Sequence, residues 1–204
     1  MANLLPTKGN LIAAKRSRML AQTGYELMDR KRNILIRELM GMMDTAKELQ
    51  GQIDAVFTEA YTALQAANIR LGICGRIAEA VDVDDSLTLR YRSVMGVELP
   101  RIPGQSPPPR PEYGMGDTCS ELDECYLKFY RVKELTRRLA EVETSIYRLA
   151  DAIKKTQKRA NALQNIVIPG LDGTIRFITD ALEEKEREEF ARLKVIKRVT
   201  TKQK

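Results

Sequence analysis

Apolar residues recur along the first third of the chain at alternating steps of three and four. The series runs Leu11, Ala14, Arg18, Ala21, Tyr25, Met28, Arg32, Leu35, Leu39, Met42, Ala46, Leu49, Ile53, Val56, Ala60, Ala63 and Ala67, with Arg18 and Arg32 its two polar members. An amphipathic helix of a compact globule drifts off a strict 3.5-residue period over this length, so the pattern predicts a long helix that supercoils against a partner. At 1.5 Å per residue such a helix is roughly 90 Å long. A second series predicts the partner: Leu122, Cys125, Phe129, Val132, Leu135, Leu139, Val142, Ile146, Leu149, Ile153, Thr156, Ala160, Leu163 and Val167. Two successive three-residue steps between Phe129 and Leu135 form a stammer that overwinds the supercoil locally. A third stripe, Leu171, Ile175, Ile178 and Leu182, continues the apolar repeat past Pro169 and Gly170. A proline inside a helix removes a hydrogen bond and clashes with the preceding turn, so a kink or break is expected near Ile168 to Gly170.

The ends of these helices carry their own signals. Pro6 and Thr7 mark the start of the first, with Thr7 as N-cap, and Thr118-Cys119-Ser120-Glu121 is a capping box for the second. Gly72 and Gly75 end or kink the first helix, before a short helical piece at Ile77 to Ala80. Gly24, Gly41 and Gly51 lie inside it, each costing about 1 kcal/mol relative to alanine. They are either tolerated in a long helix or mark a close backbone approach. Arg18 and Arg32 on the seam read as snorkelling edge residues rather than ligands.

Between the helices the period changes to two. Ser86 to Arg92 alternates Leu87, Leu89 and Tyr91 with Thr88 and Arg90, and Val97 to Ile102 supplies a second extended stretch after a turn at Met95-Gly96. A small β-hairpin is predicted, which must lean on the helices or on a partner because two strands alone are marginal in water. Six of the eight prolines follow between Pro100 and Pro111, giving an extended spacer or, alternatively, a proline-motif ligand. The predicted fold is therefore all-α: a long antiparallel two-helix coiled coil, with the hairpin and proline-rich loop between the helices. Its parts are residues 1–80, the connector 81–116 and residues 117–204, forming one elongated domain. Folding about the connector pairs residues whose numbers sum to about 198 and brings both termini to one end.

Composition narrows what such a chain can do. Histidine and tryptophan are absent and the formal net charge is +6. Without histidine the commonest general base and metal ligand is missing. No phosphate-cradling glycine loop appears, and Cys74, Cys119 and Cys125 form no CxxC pair, reading as reduced thiols. The acidic runs Asp82-Val83-Asp84-Asp85 and Glu183 to Glu189 are solvated faces in preference to metal sites. No catalytic residue, cofactor or metal is predicted. No apolar run reaches bilayer length, so direct membrane insertion is not expected. Charge gathers at the termini: residues 1–32 carry +5 and residues 192–204 carry +6, leaving the body mildly acidic. The antiparallel fold joins these two segments into one basic tip.

A longer signature lies across the C-terminal segment. Asn161, Ala162 and Leu163, then Ile168 and Pro169, Thr174 and Ile175, and Glu183, Glu184 and Arg187 resemble the C-terminal signature of the D subunits of V-type and A-type ATPases. Gln164 stands on the helix surface where that pattern carries a glutamate. The opening Pro6-Thr7, with Gly24 and Lys31-Arg32, is similar to the same family's start. The resemblance implies a central rotor shaft that couples ATP hydrolysis or synthesis to H⁺ or Na⁺ translocation, without catalytic residues of its own. Its implied partners are the catalytic and non-catalytic head subunits (A and B), the companion of the central stalk (F) and the membrane-rotor adaptor (C or d). Nucleic acid is not among them, and the expected location is cytoplasmic, peripheral on the membrane. On this reading Lys8, Lys15, Arg16, Arg18, Arg187, Arg192, Lys194, Lys197 and Arg198 meet the head. Leu87, Leu89, Tyr91, Val94 and Val97 meet the companion at the loop end. Two other classes share the outline: a prefoldin-like chaperone or scaffold, which would expose apolar grips at its helix tips, and a basic-tipped binder of nucleic acid or anionic surfaces.

Overall fold

The computed structural model describes residues 5–202 apart from positions 82, 85, 86, 105–107, 112, 115 and 117. Helix α1 spans Lys8–Leu71 without interruption, followed by the single turn α2, Gly75–Ala78. Strands β1, Arg90–Val94, and β2, Val97–Arg101, pair antiparallel. Helix α3, Ser120–Ala162, passes through a π-helical turn, Leu163–Val167, into helix α4, Ile168–Lys202.

The first seam behaves as its period predicts: every member except Arg18 is buried or half-buried. On the second seam the sole exposed member is Val167, the last residue of the π turn. Facing residues run antiparallel, as in Arg18 with Asp172, Arg32 with Gln157, Tyr61 with Phe129 and Arg70 with Glu121. Their numbers sum to about 190, so the register is shifted by about one heptad from the midpoint expectation. Thr7 caps α1, its Oγ1 accepting the Asn10 N–H at 3.2 Å. Cβ atoms placed on Gly41 or Gly51 would meet nothing within 4 Å, and one on Gly24 would lie 3.8 Å from Leu163 Cδ1, an ordinary contact. The helix tolerates these glycines; no backbone crowds them.

Three expectations are corrected. The interruption at Pro169 is a π turn, not a break: one extra residue in the turn accommodates the proline ring's missing N–H while the chain stays helical. The capping box at α3 is displaced. Ser120 opens the helix, Cys119 O accepts the first amides, and Glu121 is drawn instead to Arg70 at 2.9 Å. Glu121's carboxyl is held below its usual range, first by its own backbone N–H and then by Cys119, Arg70 and Ser120. The hairpin is shorter than Ser86 to Ile102. Ser86 lies outside the described residues, as do Asp82 and Asp85 of the acidic run and Gln105, Ser106 and Pro107 of the proline run.

The chain divides into two compact units, each drawing on both helices: Met1–Asn33 with Lys154–Lys204, and Ile34–Ile153. Within the second unit three buried clusters stack along the helix pair. Val56, Ala60 and Val132 form one, edged by Phe57, Phe129 and Leu135. Ala67, Cys74, Leu122 and Tyr113 form another, where the connector returns to α3. Leu35 and Leu149, both fully buried, form the third with Leu99 of β2. That third cluster moves the hairpin. It folds back to Leu35, roughly 36 residues or about 54 Å of helix from the end of α1, and rests on the helix flank rather than at the connector end. Burial of Leu99 against two helices supplies the apolar support that two strands lack.

Candidate functional site

No group of three or more His, Cys, Asp or Glu side chains among the described residues could hold a metal ion, and no helix there is long and apolar enough to cross a membrane. What the fold offers instead is surface, and each unit carries its own.

In the unit formed by the two terminal stretches, α4 packs on α1 through Ile175, Ile178 and Leu182, with Ile178 fully buried. From Glu183 to Thr200 every residue is exposed. Among the described residues no element covers this end, although it carries Phe190, Leu193, Val195, Ile196 and Val199, with Phe190 70% accessible. The predicted basic residues divide into three groups. Lys8 pairs with Glu186 at 3.1 Å and Arg18 with Asp172 at 2.8 Å, so these two tie α1 to α4. Lys15 and Arg16 are exposed on α1, and Lys194, Lys197 and Arg198 on α4. Arg187 reaches Glu183 and Glu184, and Arg192 reaches Glu188, as neighbours one turn apart. The tip is thus mixed in charge and partly apolar, not uniformly basic. The sequence places Phe190, Leu193, Val195 and Ile196 near this tip but does not show that all four are exposed, because the heptad pattern that assigns faces ends at Leu182.

The signature residues sit where α3 becomes α4. Asn161 accepts the Gln157 Nε2 amide at 2.7 Å, Ala162 closes α3, and Leu163 opens the π turn facing Gly24. Ile168 and Pro169 begin α4, and Thr174 donates back to Gly170 O at 2.9 Å. Ile175 belongs to the packed stripe, while Glu183 and Glu184 are on the exposed end with Arg187. The motif therefore shapes the π turn and the start of the uncovered end; it gathers no reactive groups.

In the other unit the residues predicted to meet the companion fall on two faces of the hairpin. Val94 and Val97 pack on the Leu35–Leu99–Leu149 cluster, but Leu87, Leu89 and Tyr91 are 49%, 55% and 56% exposed. Val94 is directly opposite Val97 across the turn, and one residue of strand parity sends Tyr91 to the opposite face. Arg148 stacks on Tyr91, 5.4 Å from its ring centre, while donating to Glu98 O at 2.9 Å. Sequence reasoning also missed the seating of the proline run. Tyr126 donates to Arg110 O at 3.0 Å and meets Tyr113 edge to face, and Tyr113 donates to Asp123 at 2.6 Å. Burial and that carboxylate push the Tyr113 phenol well above its ordinary value. The described part of the run is a docked strap, which weighs against a freely presented proline ligand. At the connector end of this unit Ile69, Ile73 and Val83 are largely exposed.

Comparison with known proteins finds one pattern. The family model for the D subunits of ATP synthases matches residues 10–198. The D subunit of the V-type ATP synthase of Thermotoga neapolitana is 44% identical over 197 residues, covering 96% of this chain and 97% of its own length. The D subunit of the A-type ATP synthase of Pyrococcus furiosus is 38% identical, covering 94% of this chain and 92% of its own. That of Methanopyrus kandleri is 36% identical, at 94% and 84%.

Proposed function

Because this chain belongs to the family of ATP synthase D subunits, we propose that it is the rotor shaft of a V/A-type rotary ATPase, coupling ATP turnover in the catalytic head to H⁺ or Na⁺ movement in the membrane sector. It takes no chemical step itself. The observation that carries the reading is the uncovered α4 end, Glu183 to Thr200, in which apolar, basic and acidic side chains are interspersed. Such an end suits the lined cavity of the head subunits (A and B), where Phe190, Leu193 and Ile196 lose water and the charges find partners around the rim. A nucleic-acid surface would need uniform positive charge, and Glu183 to Glu189 interrupts it. The apolar exposure does match the chaperone outline, but the family to which this chain belongs favours the shaft.

The second unit supplies the other two partners. The hairpin flank is assigned to the companion of the central stalk, and the exposed Ile69, Ile73 and Val83 at the connector end to the membrane-rotor adaptor. The chain then resides on the membrane peripherally, through the complex. Truncation after Glu186 tests the assignment. Docking to the head and coupled ion transport should fall together, with companion binding retained; a truncated chain that docks and couples like the full chain would refute it.

A further inference from the structure

The two edges of the hairpin are not equivalent. Val94 and Val97 flank a two-residue turn in which Met95 and Gly96 have φ of 51° and 78°, the mirror-image geometry whose twist suits a hairpin. The pair flanking such a turn exchanges hydrogen bonds, so Val94, Arg92 and Arg90 direct their peptide groups toward β2. Tyr91 and Ser93 direct theirs away from it. On β2 the outward positions are Glu98 and Pro100, and both are closed. Glu98 O accepts from Arg148 Nη1, Pro100 has no N–H, and beyond them the Ile102 N–H donates to Glu141 Oε2 at 2.9 Å. Proteins close sheet edges in this way to prevent further pairing. The edge of β1 has no proline and no side chain capping it among the described residues.

The side chains along this open edge state what would fit. Leu87, Leu89 and Tyr91 share one parity and are all half exposed. Arg90 and Arg92 share the other. Arg92 already meets Glu38 at 3.5 Å, but Arg90 lies opposite Arg101 in the ladder and has no carboxylate partner among the described residues. Like charges directly opposite are unfavourable, so the site lacks a negative charge beside Arg90. A second copy of this chain, added edge to edge, would bring more arginine to it. We propose that β1, with its lead-in from Leu87, is a strand-addition site that receives an extended segment of the stalk companion, one in which carboxylates alternate with apolar side chains. This rests on the reading of the hairpin flank as the companion-binding surface.

Amide hydrogen exchange on the full chain, free and bound to its companion, tests it. In the free chain Arg92 and Val94 should be protected and Tyr91 and Ser93 should exchange rapidly; in the complex Tyr91 and Ser93 should slow at least tenfold. Ser93→Pro removes only an outward N–H, so helicity and melting should hold while companion affinity falls at least tenfold. Arg90→Glu should also weaken the complex, and increasingly so at low salt. Unprotected Tyr91 and Ser93 in a formed complex, or unchanged binding by Ser93→Pro, would overturn strand addition while leaving the companion surface in place. Failure of the unaltered chain to bind the companion would instead remove that surface, and this proposal with it. A self-association that Ser93→Pro abolishes would assign the edge to a second copy and overturn the acidic partner.

Discussion

The two compact units are cut from the same pair of helices and the same heptad pattern, yet they are held by different means. In Ile34–Ile153 the helix pair is covered by a third layer of hairpin and connector, and three clusters reach full burial around Leu35, Ala60 and Ala67. In the terminal unit, among the described residues, α1 meets the continuous run of α3 into α4 with no third layer. Ala14, Ala160 and Ile178 are buried, while cross-helix polar contacts, Arg18 to Asp172, Arg32 to Gln157 and Lys8 to Glu186, mark the register. A two-helix seam buries one narrow stripe per helix, and a third element is needed to enclose it. The pattern thus sets which faces meet, but depth of burial depends on what else arrives. The thinly covered unit is also the one with the long uncovered end, which is the end proposed above to enter the head.

Core truncation should separate the units most strongly. Leu149→Ala opens a void between α1, α3 and β2 and should cost about 4 kcal/mol, whereas Ile178→Ala, equally buried but in a two-helix seam with no third layer among the described residues, should cost about 2 kcal/mol because its surroundings can close in. Urea denaturation of both variants measures this, and a larger loss for Ile178→Ala would break the comparison. Next in size is the strap. Tyr113→Phe removes a hydrogen bond to the Asp123 carboxylate and should cost about 1.5 kcal/mol at neutral pH. Because the folded state raises this phenol's pKa, its contribution is complete below the ordinary tyrosine value near 10 and is lost as pH rises beyond it. Stability curves of the unaltered chain and of Tyr113→Phe should therefore converge in strong alkali; parallel curves would show that the strap's hydroxyl is not linked to folding. The smallest effect belongs to the terminal unit's ion pairs. Arg18 and Asp172 are both substantially exposed, so Asp172→Asn should cost less than about 1 kcal/mol and the difference should shrink further at 1 M salt.

The helices were legible in the sequence because period carries direction: each seam residue from Leu35 to Ala67 became buried or half-buried, and Met95-Gly96 formed the turn its residue types suggested. Strand alternation carries less. It divided Leu87, Leu89 and Tyr91 from Thr88 and Arg90 without saying which set faces the helices, and the pairing of Val94 with Val97 decided that. Pro169 announced an interruption, but whether a helix bends, breaks or widens by one residue depends on its neighbours, here Leu163 against Gly24. Contacts between residues far apart in sequence, such as Arg18 with Asp172 or Tyr126 with Arg110, leave no periodic trace. The candidate head surface was legible as a charged segment and illegible as an uncovered one, since exposure of Phe190 and Leu193 depends on the register between the helices, which Arg18 with Asp172 sets about a heptad away from the midpoint expectation.

The central claim is that the uncovered α4 end works inside the catalytic head. A photo-activated crosslinking side chain at Leu193, in the assembled ATPase, tests this directly. Illumination should yield adducts with the head subunits alone and stop ATP turnover in proportion to their formation. Adducts with the membrane-rotor adaptor, or full turnover by a fully crosslinked complex, would contradict it.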